Sequence, residues 1–335
     1  PKEAVDATIQ LEGAQIKHLP EHPPTTKING VIHVDGVALD ATISSGHFLK
    51  ETELSNGRVL IADLNAENPY IKVSFDAETT AKDIVKLLDL PRLKHADRLN
   101  LKEEGAEGAV KGSAALGFYF FAPKGSKDTD IDYDIQAELS NVSAKNFMKK
   151  FDIEKASGAI AINNQKVEFT GKTTVNGAAA SAATVKYLFV PEGGFDTFIT
   201  AAGTANKETL TRFGYPKFDF LNGMLGVKAD MKIGEAAELT HATVDLTQAA
   251  LNADAISWNK PQNTPAALDI TAEKKNGVLV IPSFHLQADN INAKGSARLN
   301  PALTSIEQLQ MDAFTLGNTN LNKLIYETGE SGMRL

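Results

Sequence analysis

The chain has 335 residues, of which 42% are hydrophobic and 23% charged, so it carries enough apolar material for a folded protein and is not a disordered tail. A net charge of -8, with no Lys/Arg run interleaved with aromatics, argues against a nucleic-acid partner. With no Cys, disulfides, thiolate metal sites and cysteine nucleophiles are excluded.

From Pro1 onward no signal peptide is recognisable, and no apolar run approaches the roughly 18 residues a membrane helix needs. The chain reads as a piece of a longer protein. Its dominant pattern is alternation of apolar and polar residues, which gives a strand one buried face. It appears at 7–11, 71–75 and 131–137, and again at 227–233, 284–288 and 293–299. Asp35-Gly36, Ser55-Asn56-Gly57, Asn163-Asn164, Pro191-Glu192-Gly193-Gly194 and Asn276-Gly277 read as turns between strands. Strands at this spacing predict antiparallel meanders.

Three segments read as short helices: Ala81 to Leu88, Ser143 to Phe151 with Ser143 as N-cap, and Lys207 to Phe213 with Gly214 as stop. Ala81-Lys82-Asp83-Ile84-Val85 matches Ala144-Lys145-Asn146-Phe147-Met148 at an offset of 144 − 81 = 63, and Lys207 falls near a third step. The spacing predicts approximate repeat units over 35–140, 141–205 and 206–317, stacked along an axis. Residues 318–335 read as the start of a further helix or a frayed end.

Chemical motifs are sparse. Gly171-Lys172-Thr173 ends like a phosphate loop, but Lys166 stands where the first Gly is needed and the context is strand. Pro20 between His18 and His22 prevents a helical metal pair. Asp128, Asp130, Asp132 and Asp134 alternate as a solvated strand face, too spread for calcium. No nucleophile elbow or carboxylate pair stands out, so no catalytic residue, metal or cofactor is expected, and the chain reads as a non-enzyme. Trp258, the sole Trp, reads as an anchor beside Pro261, with its ring packed and its N–H bonded.

Two stretches carry a family resemblance. One is Leu87-Leu88-Asp89-Leu90-Pro91-Arg92-Leu93, followed by the Gly-punctuated strand from Gly108 to Leu116. The other is Val244-Asp245-Leu246-Thr247-Gln248-Ala249, leading to Trp258-Asn259-Lys260-Pro261-Gln262-Asn263-Thr264-Pro265-Ala266. From about Asp35 to about Leu316 the chain resembles the AsmA-like proteins of the Gram-negative envelope, especially the YhdP branch, which are related to TamB and the bridge-like lipid transfer proteins. The resemblance implies a mainly β fold: an elongated, twisted antiparallel sheet curved into an open apolar trough, with a few short helices. It also implies a periplasmic conduit that moves phospholipid, or another acyl-chain lipid, between inner and outer membranes. An inner-membrane helix outside this chain would anchor it, and envelope proteins are possible partners.

Candidate groove-lining residues are Ile71, Val73, Phe75, Leu116, Phe118, Phe120, Ile131, Tyr133, Ile135, Val227, Met231, Leu268, Ile270, Phe284 and Leu286. Alternation alone leaves a second reading open, in which they fill a dry core and the chain is a non-catalytic β-scaffold or interaction module.

Overall fold

The computed structural model describes residues 6–17, 23–89, 100–121, 131–147, 151–215, 217–275, 278–300, 306–329 and 332–334. Strands take up 73% of them, mostly in one large antiparallel sheet that does not close into a barrel, with two short helices. The chain divides into two compact units, Pro1–Phe169 and Thr170–Leu335.

The first unit is a meander of β1 (Asp6–Ile16), β2 (Thr25–Asp35), β3 (Ala38–Phe48), β4 (Thr52–Ile61), β5 (Tyr70–Thr80), helix α1 (Ala81–Leu88), β6 (Glu107–Tyr119), β7 (Ile131–Phe147) and β8 (Phe151–Asn163). Each strand pairs antiparallel with the next. The alternation at 7–11, 71–75 and 131–137 thus lies in β1, β5 and β7, and Asp35-Gly36 makes the β2–β3 turn as expected. Ser55-Asn56-Gly57 does not turn the chain. It sits inside β4, where Asn56 takes φ +50 and the register against β5 slips between Ser55 and Arg58. Asn tolerates the left-handed region that such a bulge needs, and its amide bonds the Asp76 carboxylate on β5. At Gly112 on β6, a Cβ would stand 2.6 Å from that of Ala137 on β7. Paired strands normally hold these atoms about 4.5–5.5 Å apart, so only glycine leaves room for the close approach of β6 and β7 at this step.

Helix α1 starts because the Thr80 hydroxyl accepts the Asp83 N–H at 3.2 Å. It buries Ala81 and Val85 against Ala106, with Leu88, Leu101 and Val142 around them. The helix expected from Ser143 to Phe151 is absent among the described residues: β7 runs to Phe147 and β8 starts at Phe151, while Met148 lies outside them. Ser143 and Asn146 are instead engaged across this hairpin. Ser143 Oγ accepts the Lys155 N–H, and the Asn146 N–H donates to Asp152 Oδ1 with Asn146 at φ +53.

β9 (Lys166–Val175) follows, holding Gly171-Lys172-Thr173 in extended chain. The second unit comprises β10 (Ala178–Glu192), β11 (Phe195–Ala205), α2 (Lys207–Arg212), β12 (Leu221–Gly223), β13 (Leu225–Ile233), β14 (Ala237–Asp245), β15 (Ala249–Ala253), a 3-10 turn at Asp254–Ile256, β16 (Trp258–Lys260), β17 (Ala266–Lys275), β18 (Val278–Ala288), β19 (Ile291–Leu299) and β20 (Ile306–Leu316). The chain ends in β21 (Thr319–Leu321), β22 (Leu324–Gly329) and β23 (Gly332–Arg334). The expected terminal helix is therefore extended chain, because Leu324 and Tyr326 pair with Met311 and Leu309 of β20. The Asn276-Gly277 turn lies outside the described residues.

Helix α2 is set by a reciprocal cap: Asn206 Oδ1 accepts the Thr209 N–H, and Thr209 Oγ1 accepts the Asn206 N–H. The caps Thr80 and Asn206 are 206 − 80 = 126 residues apart, twice the 63-residue step. Helices thus stand at the first and third of the expected steps, and strands at the second. The strands β12, β15 and β16 form a separate three-stranded sheet. Leu221, Leu251 and Trp258 of this small sheet belong to the same buried cluster as Leu225, Ala266, Ile291 and Phe314 of the large one.

Candidate functional site

In an antiparallel ladder, directly opposed residues lie on the same face of the sheet. In the first unit the pairings therefore trace apolar rows across the strands. One row runs Ala7, Val34, Leu39, Ile61, Ile71, Phe118, Ile131 from β1 to β7. The next runs Ile9, Ile32, Ala41, Val59, Val73, Leu116, Tyr133. A third joins Phe75, Ala114, Ile135 and Ile162 from β5 to β8. Eight of the expected groove residues, Ile71, Val73, Phe75, Leu116, Phe118, Ile131, Tyr133 and Ile135, thus share one face. Phe120 does not belong to that set. It lies past the end of β6, is 59% exposed, and meets Phe121 edge-on.

The reverse face of this unit is polar. Arg58 holds Asp40 through two hydrogen bonds of 2.7 and 3.0 Å, and the guanidinium keeps that carboxyl below its usual range. Lys111 pairs with Glu78. Asp132 and Asp134 stand on this face as expected: Asp132 accepts the Tyr70 hydroxyl and Asp134 accepts the Gln136 amide. Asp128, Asp130, His18 and His22 lie outside the described residues. No group of three or more His, Cys, Asp or Glu that could hold a metal occurs among the described residues.

The apolar face of the first unit is only half covered. Val73, Phe75, Leu116, Phe118, Tyr133 and Ile135 are all partly exposed, and the buried cluster under α1 is confined to Ala81, Val85 and Ala106. The 35.9 kDa chain exposes 20597 Å² in all. Area–mass scaling gives roughly 13,000 Å² for a compact monomer of this mass, and roughly 16,000 Å² for two separate compact halves. The partly exposed apolar side chains of this face contribute to that larger area.

The second unit repeats the pattern and then departs from it. Val227, Val244, Leu268, Leu286 and Ala293 form one row, and Ala229, Ala242, Ile270 and Phe284 the next. Met231 lies two residues beyond Ala229, on the same face. Here the small sheet covers part of the face, so Val227, Leu268, Phe284 and Leu286 pack against a buried cluster. Each of these four nevertheless stays partly exposed. Met231 and Ile270 are partly exposed and are not among that cluster's contacts.

Trp258 fits its expected part, 6% exposed with its N–H donating to Asn290 Oδ1 at 2.7 Å. Beside it Lys260 is 3% exposed. Its ammonium donates to the carbonyls of Ala249 (2.6 Å), Pro261 (3.0 Å) and Thr247 (3.4 Å), and burial lowers its pKa. These bonds pin the loop between β14 and β15 to the end of β16.

The chain matches no family model, no curated protein and no solved structure. Among the described residues, no helix is long and apolar enough to cross a membrane. Sequence reasoning missed Val34, Leu39, Val59 and Ile61, which extend the apolar rows. Their runs, Val31-Ile32-His33-Val34 and Val59-Leu60-Ile61, hide the alternation because Val31 and Leu60 fall on the polar face.

Proposed function

We propose that this chain is a non-catalytic segment of a lipid-transfer conduit, whose apolar sheet face carries the acyl chains of phospholipids while headgroups remain in water. The observation that carries the reading is the set of apolar rows that cross β1 to β7, most of whose members stay partly exposed while Ala41 and Ile71 are buried. Seven such strands span roughly 29 Å at about 4.8 Å per step, enough for an acyl chain lying across them. Contact with such a face is non-directional, at about 0.8 kcal/mol per buried methylene, so a lipid slides without a specific site. The resemblance to AsmA-like envelope proteins supports a periplasmic setting, an inner-membrane anchor and traffic between the two membranes.

A second reading, a β-scaffold with a dry core, draws on the second unit, where the small sheet closes over Leu268 and Leu286. Native mass spectrometry of the purified chain, followed by lipid extraction, separates the two. Phospholipid retained at near-stoichiometric amounts is the expected result. A lipid-free protein that also takes up none from vesicles would leave the scaffold reading in place.

A further inference from the structure

Most of the exposed large apolar side chains among the described residues of the first unit gather at one place, Ile9 and Ile16 of β1 being the exceptions. Val37 in the β2–β3 turn, Leu64 between β4 and β5, Tyr119, Phe120 and Phe121 at the end of β6, and Ile131 at the start of β7 lie at one end of the strands. Phe120 and Phe121 are 59% and 58% exposed, with their rings edge-on at 4.9 Å. Large apolar side chains gathered in water at one end of a sheet mark a contact surface.

The backbone beneath the patch is already satisfied from within. Asn68 and Phe121 exchange two hydrogen bonds: the Phe121 N–H donates to Oδ1 at 2.9 Å, and the Asn68 amide donates to the Phe121 carbonyl at 3.0 Å. The Phe120 N–H donates to the Pro69 carbonyl, and the Leu64 N–H to that of Val37. Asn164 does the same for β7, donating to the Ile131 carbonyl and accepting the Tyr133 N–H, both at 2.8 Å. Two asparagines thus continue the ladder past its last strand pairs. Such a tip enters a medium poor in water without orphaning these amides. A protein partner docking by strand addition needs the opposite, free backbone groups.

Charge narrows the occupant further. Asp35, Asp63 and Glu67 stand in the same turns, so an anionic surface is repelled and a neutral one is not. The patch also adjoins the row Ile61, Ile71, Phe118, Ile131 of the apolar face.

We propose that this strand-end tip inserts into the interfacial zone of a zwitterionic phospholipid bilayer, with Phe120 and Phe121 as its anchors. The inference deepens the lipid-transfer reading and rests on it for its purpose, since contact there gives lipid a way on to the adjoining rows.

The test is flotation of the whole chain with phosphatidylcholine vesicles, alongside vesicles enriched in phosphatidylglycerol. The wild type floats with phosphatidylcholine, with little dependence on salt. The double variant Phe120→Ser, Phe121→Ser keeps its far-UV circular dichroism and partitions about tenfold less. Phe121→Trp retains flotation and gains a blue-shifted emission on mixing with vesicles. No flotation of the wild type, equal flotation of the double variant, or binding only to anionic vesicles that salt abolishes would each overturn the proposal. So would a wild-type dimer that the double variant breaks. Lipid retained in native mass spectra without flotation sinks this inference and leaves the conduit reading standing; flotation without retained lipid does the reverse.

Discussion

The Tyr70 hydroxyl donates to Asp132 Oδ2 at 3.0 Å, reaching from β5 over β6 to β7 across Gly117, where a Cβ would stand 2.1 Å from the tyrosine oxygen. The ring is steadied edge-on by Tyr119 at 5.0 Å. One missing methyl group thus permits a polar strap across three strands.

This strap titrates. The hydrogen bond to Asp132, with desolvation and the carboxylate charge behind it, raises the Tyr70 pKa above its usual 10.0. Gly117→Ala displaces the hydroxyl and Asp132→Asn removes the charge, so both lower that pKa. Titration of ring-carbon-labelled tyrosine by NMR reads the shift; a Tyr70 signal that titrates unchanged in both variants contradicts the strap.

Asp83, 2% exposed, ties α1 to the β3–β4 connection. Burial opposes its ionisation, but the Glu51 N–H at 2.7 Å, Lys86 and Thr52 outweigh it and hold the pKa below 3.8. Asp83→Ala leaves the Glu51 amide without its acceptor and Lys86 without its partner, at an expected cost of about 2–4 kcal/mol. Because the folded pKa is depressed, the ionic part of this stability is complete above about pH 4 and lost as pH falls through the folded value. Urea denaturation of wild type and Asp83→Asn should therefore converge on acidification below pH 4.

Lys260 has a dependence of the same sign at the alkaline end of the scale. Burial lowers its pKa from 10.5, with Asp245 opposing that shift weakly, so the unfolded chain holds this proton more tightly than the folded one. The stability of wild type relative to Lys260→Met therefore rises with pH between the lowered folded value and 10.5. Denaturation of both proteins from neutral pH upward checks the sign, and a flat difference refutes a perturbed ammonium.

The sheet was legible in the sequence wherever polar residues separated apolar ones, as in Ile131 to Ala137, because one face meets water. It was obscured where both faces take apolar residues, as at Val59-Leu60-Ile61. Asn56 and Ser143 carried turn and cap chemistry that strand neighbours redirected, into a bulge and into a bond with the Lys155 N–H. The small sheet was invisible for a related reason. Its strands of three to five residues are too short for any period, and Lys260, its polar fastening, is set by three carbonyls distant or irregular in sequence.

That small sheet packs over the second unit's apolar face, and a single substitution type distinguishes it from the first unit's. Phe75 on β5 is half exposed, and no buried cluster closes over it; an Asp there keeps its hydration, so Phe75→Asp should cost about 1–2 kcal/mol and leave the fold intact. Phe284 on β18 packs against the cluster of Leu225, Trp258 and Phe314, where an unpaired carboxylate has no partner and the lost ring leaves a void. Phe284→Asp should cost about 3–5 kcal/mol and expose Trp258, red-shifting its emission. If the exposed rows carry lipid, Phe75→Asp loses retained phospholipid while remaining folded, and Ile135→Asp, two strands along the same row, does the same. Equal destabilisation at Phe75 and Phe284 would instead mean that both units close over a dry interior, and would remove the wetted face on which the conduit reading depends.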